Sequence, residues 1–244
     1  MKIIINGAAG KMGKILTDMA EAENINVVAK IDIAFNDDPQ NNIYSSLENF
    51  NGEADCVIDF SNHKAVNNLI GYCLKNNLPV LIASTGHDEN EIKLIHDASN
   101  KIPVFQSANM SLGIAVLADL AERTAENFPG CDIEIIEAHH NQKLDVPSGT
   151  ALLLADRINE ARNLKLNIGR HENGKRSADE IGIHSLRYGA EVGTHEIIFA
   201  TAQEKITLKH EASSRALFAR GALMAAKWLI NQTAGLYNMR DMLK

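Results

Sequence analysis

Residues 3–6, 26–31, 56–60, 80–83 and 104–105 form short apolar, largely β-branched runs. Between them, 14–22, 63–76 and 88–99 carry helical spacing; in the first of these, Ile15, Leu16, Met19 and Ala20 share one face. Strands alternating with helices of this length predict a parallel sheet with helices on both faces. Asn6-Gly7, Asp59 to Ser61, Ser84 to Gly86 and Ser107 to Asn109 end these runs in small or polar residues. They fall at the carboxyl ends of strands, where open parallel sheets take their ligands. The second half differs. After a helix at about 112–127, residues 133–137, 195–199 and 204–210 read as strands, the last alternating with period two as a half-exposed strand does. Helices follow at 151–160 and about 213–231, the latter with Leu217, Phe218, Leu223, Met224, Trp228 and Leu229 as its apolar face. A mixed sheet under one helical layer is expected. The polar stretch 163–180 reads as a long mobile loop, of the kind that often serves function.

The 244 residues suffice for one large domain or two modest ones. With 45% hydrophobic and 23% charged residues the chain belongs with folded proteins. A formal charge of -7 and the lack of a polybasic tract argue against partners such as nucleic acid or an acidic membrane. The apolar start is broken by glycine at once, so it reads as a buried strand and not a signal peptide. No apolar stretch reaches membrane-spanning length. Cys56, Cys73 and Cys131 are odd in number, widely spaced and set among apolar neighbours, which indicates reduced, buried thiols and a cytoplasmic protein.

Gly7-Ala8-Ala9-Gly10-Lys11-Met12-Gly13 follows the first strand and opens a helix. A glycine turn at a helix N-terminus lets backbone N–H groups approach a pyrophosphate. The spacing is G-x-x-G-x-x-G, and its strand–loop–helix setting supports dinucleotide binding. Asp32, at the end of the second strand, suits the ribose hydroxyls of NAD; it also fits a plain turn-forming aspartate. Ile33 stands where an arginine for the 2′-phosphate of NADP would be expected, although Lys11 or Lys30 could supply charge, so the lean is towards NADH. The fold class is therefore α/β, a Rossmann-like parallel-sheet dinucleotide domain plus a second α+β domain with a mixed sheet.

The densest polar cluster is Glu137-Ala138-His139-His140-Asn141-Gln142-Lys143-Leu144-Asp145-Val146-Pro147-Ser148-Gly149-Thr150. It ends in Ser-Gly-Thr before a helix, a natural carboxylate cradle, and carries two histidines and a lysine as proton donors and positive charge. Those parts suit hydride reduction of an anionic imine. Zinc ligation is the competing reading of the adjacent histidines, but no cysteine or acidic partner stands at zinc-site spacing. Solvated loop residues without chemistry are the other.

The 137–150 cluster resembles the E-A-H-H-x-x-K-x-D-A-P-S-G-T segment of the dihydrodipicolinate reductases of bacterial lysine and diaminopimelate synthesis, departing from it only at Val146. The resemblance extends through the glycine loop, Asp59-Phe60-Ser61, Ser84-Thr85-Gly86, Ser107 to Ser111, residues 181–187, Gly193-Thr194-His195-Glu196 and His210 to Arg215. It implies NAD(P)H-dependent reduction of 4-hydroxy-tetrahydrodipicolinate to tetrahydrodipicolinate. His139 and Lys143 would handle protons, with the acid among them undecided, and His140, Ser148, Gly149 and Thr150 would bind substrate carboxylates. Gly7 to Gly13, Asp32, Ala83, Ser84, Thr85, Ser107, Ala108, Asn109 and Met110 would wrap NADH or NADPH, and Arg215 would support. It further implies a homotetramer, a nucleotide domain of 1–108 with 215–244, and a substrate domain of 109–214. Tyr188 replaces a usual glycine. Two other readings stay open: a related amino-acid dehydrogenase, and a dinucleotide sensor without turnover.

Overall fold

The computed structural model describes residues 1–171 and 173–243, and the chain divides into two compact units. The first comprises Met1–Ser111 with Ala216–Lys244, the second Leu112–Arg215.

In the first unit, β1 (Lys2–Asn6), β2 (Asn26–Ile31), β3 (Ile43–Tyr44), β4 (Cys56–Asp59), β5 (Val80–Ile82), β6 (Pro103–Gln106) and the late β12 (Gly235–Tyr237) form one sheet. Their order is β12-β6-β5-β4-β1-β2-β3 and all neighbours run parallel. Ile3, Ile4 and Ile5 are wholly buried in succession, as are Val80, Leu81 and Ile82, because central parallel strands are covered on both faces. Alternate residues separate the layers. Ile4 and Val57 pack with Leu69 and Ile70 of α2 (Val66–Asn76) and Ile95 of α3 (Glu89–Ser99). Phe105 meets Trp228 of α6 (Ala216–Leu229) edge-on at 6.3 Å, and α6 packs on α1 (Lys11–Ala22). The parallel sheet with helices on both faces is as expected; the short strands β3 and β12 lack the apolar runs by which the others are read.

In the second unit, β7 (Asp132–His139), β8 (Lys165–Ile168), β9 (Glu180–Arg187), β10 (Gly193–Ala200) and β11 (Lys205–Ala212) are ordered β11-β10-β7-β9-β8. The β7–β9 and β8–β9 pairs are parallel, while β10 is antiparallel to both β7 and β11, so the sheet is mixed. Ile133, Ile135, Ile181, Ile183, Ile197 and Phe199 face one layer made by α4 (Leu112–Asn127) and α5 (Gly149–Arg162). The reading of 163–180 as a loop is corrected only in part, since among the described residues 169–171 and 173–179 do carry no helix or strand. Residues 165–168 are an edge strand, hidden in the sequence because its side chains stay largely in solvent. Farther on, Arg170 pairs with Glu180, and Arg176 lies 3.0 Å from Glu134 and 2.9 Å from Asp132. Glu172, within that stretch, lies outside the described residues. Among the described residues, no helix is long and apolar enough to cross a membrane.

Candidate active site

In the first unit the glycine loop is built by close backbone approach. Gly7 has φ +83°, and a Cβ there would lie 2.7 Å from the Phe60 carbonyl carbon. A Cβ on Gly13 would stand 2.2 Å from the Gly7 carbonyl oxygen. Gly10 caps α1 with no side-chain hydrogen bond and no acidic residue follows in the first turn. Uncapped amides beside exposed Gly10 and Lys11, with Ala9 and Met12 half-buried and Ala8 buried, fit the pyrophosphate of a dinucleotide. Gly13→Ala is expected to displace this loop, costing about 1–3 kcal/mol of stability and weakening NADH binding, as urea unfolding and fluorescence titration would show.

Asp32 ties its strand to that loop: Oδ2 accepts the Ala9 N–H and Oδ1 the Ala34 N–H, each at 3.0 Å. Beside it Ile33 is 96% exposed. The ends of β1, β4 and β5 converge on Asp59, a carboxylate only 1% exposed. Asn6 Nδ2 and Ser84 Oγ each donate to it at 2.7 Å, and Ser61 Oγ donates as well. Full hydrogen bonding offsets the cost of burying the carboxylate. Ala83 donates its N–H to the Asp59 carbonyl, placing Ser84 and exposed Thr85 at the strand ends. Ser107 Oγ donates to the Asn109 carbonyl at 2.8 Å, leaving Ala108 exposed; Met110 is buried, so its side chain belongs to the core.

In the second unit the site centres on Glu137, which is 0% exposed. Glu137 and His139 are two apart on β7, and His139 Nδ1 lies 2.6 Å from Glu137 Oε2. Arg187, the register partner of His139 on β9, donates to both carboxylate oxygens at 2.7 and 2.8 Å. Ser148 donates its backbone N–H to Oε1 at 3.1 Å. Burial pushes the Glu137 carboxyl up, but the bonds from His139, Arg187 and Ser148 outweigh it and hold the group far below the usual carboxylate range. With Nδ1–H on Glu137, His139 has Nε2 left for proton exchange; a Cβ on Gly193 would sit 3.1 Å from that nitrogen.

Ser148 caps α5, its Oγ accepting the Ala151 N–H at 3.2 Å, and exposed Gly149 with half-buried Thr150 form the first turn. Lys143 Nζ pairs with Asp145 Oδ1 at 2.8 Å, and the Asp145 carbonyl accepts from Arg187 at 2.7 Å. His140 Nε2 stands 3.5 Å from an Arg215 nitrogen, at the limit of a hydrogen bond. Thus Glu137 joins His139 to Ser148 directly, and Arg187 ties in the loop bearing Lys143. Tyr188 donates its N–H to the His139 carbonyl at 3.0 Å, with its ring half exposed and its backbone outside the left-handed region. Among the described residues no group of three His, Cys, Asp or Glu is placed to hold a metal ion.

Glu137, Arg187 and His195 take part without having been assigned a role from sequence. The two-residue spacing of Glu137 and His139 was a readable signal; the cross-strand approach of the other two was not. His195 is 4% exposed, and burial, reinforced by the neighbouring His139, lowers its pKa to about 3. Both shifts have the same consequence. Unfolding lets His195 take a proton near 6.5 and Glu137 near 4.5, so stability falls as pH drops, first through His195 and then through both. Thermal melts from about pH 7 down to about pH 4 are expected to show Tm declining from roughly pH 6.5; a constant Tm to about pH 5 would contradict the neutral, buried His195.

Two family models match: dihydrodipicolinate reductase, N-terminus, over residues 1–110, and dihydrodipicolinate reductase, C-terminus, over residues 113–243. The 4-hydroxy-tetrahydrodipicolinate reductase of Caldanaerobacter subterraneus subsp. tengcongensis is 48% identical over 249 residues, covering 100% of this chain and 98% of that protein. The enzyme of the same name from Clostridium tetani is 42% identical over 250 residues, covering 100% and 97%. A dipicolinate-bound dihydrodipicolinate reductase from Paenisporosarcina sp. TG-14 superposes with a TM-score of 0.84 at 25% identity, over 99% of each chain. Aspartate dehydrogenase from Thermotoga maritima, at TM-score 0.53 and 16% identity over 94% and 96% of the chains, shares the fold alone. With matched halves, full-length relatives and a common architecture, the chain belongs to the dihydrodipicolinate reductase family.

Proposed function

We propose that this chain reduces 4-hydroxy-tetrahydrodipicolinate to tetrahydrodipicolinate with NAD(P)H, the substrate losing water and gaining a hydride and a proton. The observation that carries this reading is the Glu137 junction, which presents His139 Nε2 and the start of α5 from one anchored point. The nicotinamide cofactor, when bound, supplies the hydride. The glycine loop and α1 would hold its pyrophosphate, Asp32 its ribose, and the 83–85 and 107–110 segments its other end. Gly149 and Thr150 would hold one substrate carboxylate, while His140 and Lys143, with Arg215 beside His140, would neutralise the other. That dicarboxylate arrangement is in keeping with the dipicolinate held by the Paenisporosarcina protein. Fixing the substrate in place removes entropy from the barrier, and proton transfer through His139 or Lys143 adds ~10²–10⁴-fold.

The test is a coupled assay in which pyruvate and aspartate semialdehyde are condensed by the preceding synthase while nicotinamide absorbance is followed. Oxidation that requires both enzymes supports the reading; cofactor binding without oxidation would favour the sensor or another imino acid. NADH is the proposed preferred cofactor, because Asp32 stands beside exposed Ile33 with no arginine adjacent. Ile33→Arg is accordingly expected to raise kcat/KM for NADPH roughly tenfold through a charge-assisted contact to the 2′-phosphate, with little change for NADH. An unchanged cofactor ratio would remove that role from the position. The sheet face opposite the helices, with half-exposed Ile136, Ile198 and Leu186, supports assembly into a homotetramer, measurable by light scattering. Three free, buried cysteines, with the Cys56 thiol pushed up to about 12 by burial, suit a reducing cytoplasm.

A further inference from the structure

His195 on β10 is the register partner of Glu137, yet it makes no bond to that carboxylate. Its Nε2 lies 3.1 Å from Ser148 Oγ, and its ring meets the His139 ring edge-on at a centroid distance of 5.2 Å. Its Nδ1 is buried without a hydrogen-bond partner. The Ser148 oxygen already accepts the Ala151 N–H. Two proton arrangements follow. If the Ser148 hydroxyl donated to Nε2, the ring proton would sit on Nδ1 as an orphaned buried N–H. If Nε2–H donates to Ser148 Oγ, the orphan is a bare lone pair, which is the less costly omission. Both lone pairs of the serine oxygen are then taken by donors, and its own proton is left for an acceptor that no described residue supplies.

We infer that His195 is a positioning residue for the substrate. Its Nε2–H saturates the Ser148 oxygen, turns the Ser148 proton toward a substrate carboxylate at Gly149, and steadies the start of α5 against the His139 ring. The inference rests on the reductase reading and deepens it. His195 touches no reacting atom; it acts through Ser148.

Two substitutions separate positioning from packing. His195→Phe keeps a ring against His139 but loses the N–H; His195→Gln loses the ring but returns an amide N–H at similar reach. In the coupled assay, His195→Phe is expected to raise the substrate KM roughly tenfold, the factor set by one ordinary hydrogen bond, with the cofactor KM unchanged within about twofold. His195→Gln should recover most of the loss. Ser148→Ala should match His195→Phe, and the double variant should cost little more than either, because both act through one bond. The reverse order, with phenylalanine near wild type and glutamine impaired, overturns the inference. Imidazole nitrogen NMR of the wild-type protein needs no variant: a protonated Nε2 on His195 is expected, and a protonated Nδ1 overturns it. Failure of the wild type to turn over would sink the reductase reading itself, whereas an active wild type with an unimpaired phenylalanine variant sinks only the role of His195.

Discussion

Glu137→Ala is expected to give a protein that is much less stable and almost without turnover. Its carboxylate is fully buried and accepts from His139, two nitrogens of Arg187 and the Ser148 backbone. Removing it strands the Arg187 guanidinium next to a buried carboxylate-sized gap, and breaking a buried pair from one side typically costs about 3–5 kcal/mol. Tm should fall by roughly 10 °C for a chain of this size. The catalytic loss has a separate origin. Without Glu137, His139 loses the bond that fixes its ring, and Ser148 loses the acceptor that anchors the start of α5. Glu137→Gln tells the two effects apart, since it keeps the volume and one acceptor oxygen but removes the charge that holds Arg187. Urea unfolding and the coupled assay measure both. An alanine variant with wild-type Tm and turnover would remove Glu137 from the centre of the site.

Lys143→Ala should leave stability almost unchanged and harm turnover severely. The Lys143 ammonium pairs with the half-exposed Asp145 carboxylate at 2.8 Å, and solvent-accessible pairs of that kind are worth about 0–1 kcal/mol. Melting should hardly move. Turnover is expected to fall by ~10²–10⁴, the range lost with a proton donor, compounded by the loss of a charge that neutralises substrate. NADH affinity should be intact, because the residues expected to hold the cofactor lie in the first unit and Lys143 in the second. Comparing Lys143→Ala with His139→Gln across pH identifies which of the two delivers the proton: the variant whose rate loses its pH dependence removes the acid. Near-normal turnover in Lys143→Ala would overturn its assignment.

Much of the site was readable in the chain itself. The G-x-x-G-x-x-G loop announced its own geometry, since Gly7 and Gly13 sit where any Cβ would meet backbone. Ser148-Gly149-Thr150 was read as a cradle at a helix start, and α5 does begin there, with Ser148 as its cap. The 165–168 strand was missed because it is short and lies at the sheet edge: Leu166 and Ile168 alternate with Lys165 and Asn167 over only four residues inside a polar stretch, and both stay partly in solvent, which is too brief a period-two signal to mark a strand. Asp59 was visible as a strand end, but its role as the shared acceptor for Asn6, Ser61 and Ser84 depends on residues from three strands meeting at one point.

What the sequence determined by itself was local: period-two and helical patterns, glycine turns, a hydroxyl-rich helix start, and a fourteen-residue cluster rich in proton carriers. These depend on neighbours a few positions apart, and near-neighbour geometry is set by bond angles and sterics. The tertiary structure alone decided which distant groups share a proton or a charge. Arg187 lies 50 residues beyond Glu137, and His195 lies 47 beyond Ser148. Only strand register brings them within hydrogen-bond reach, and register is settled by the packing of Ile133, Ile135, Ile183 and Ile197 beneath α4 and α5, residues that carry no chemistry themselves.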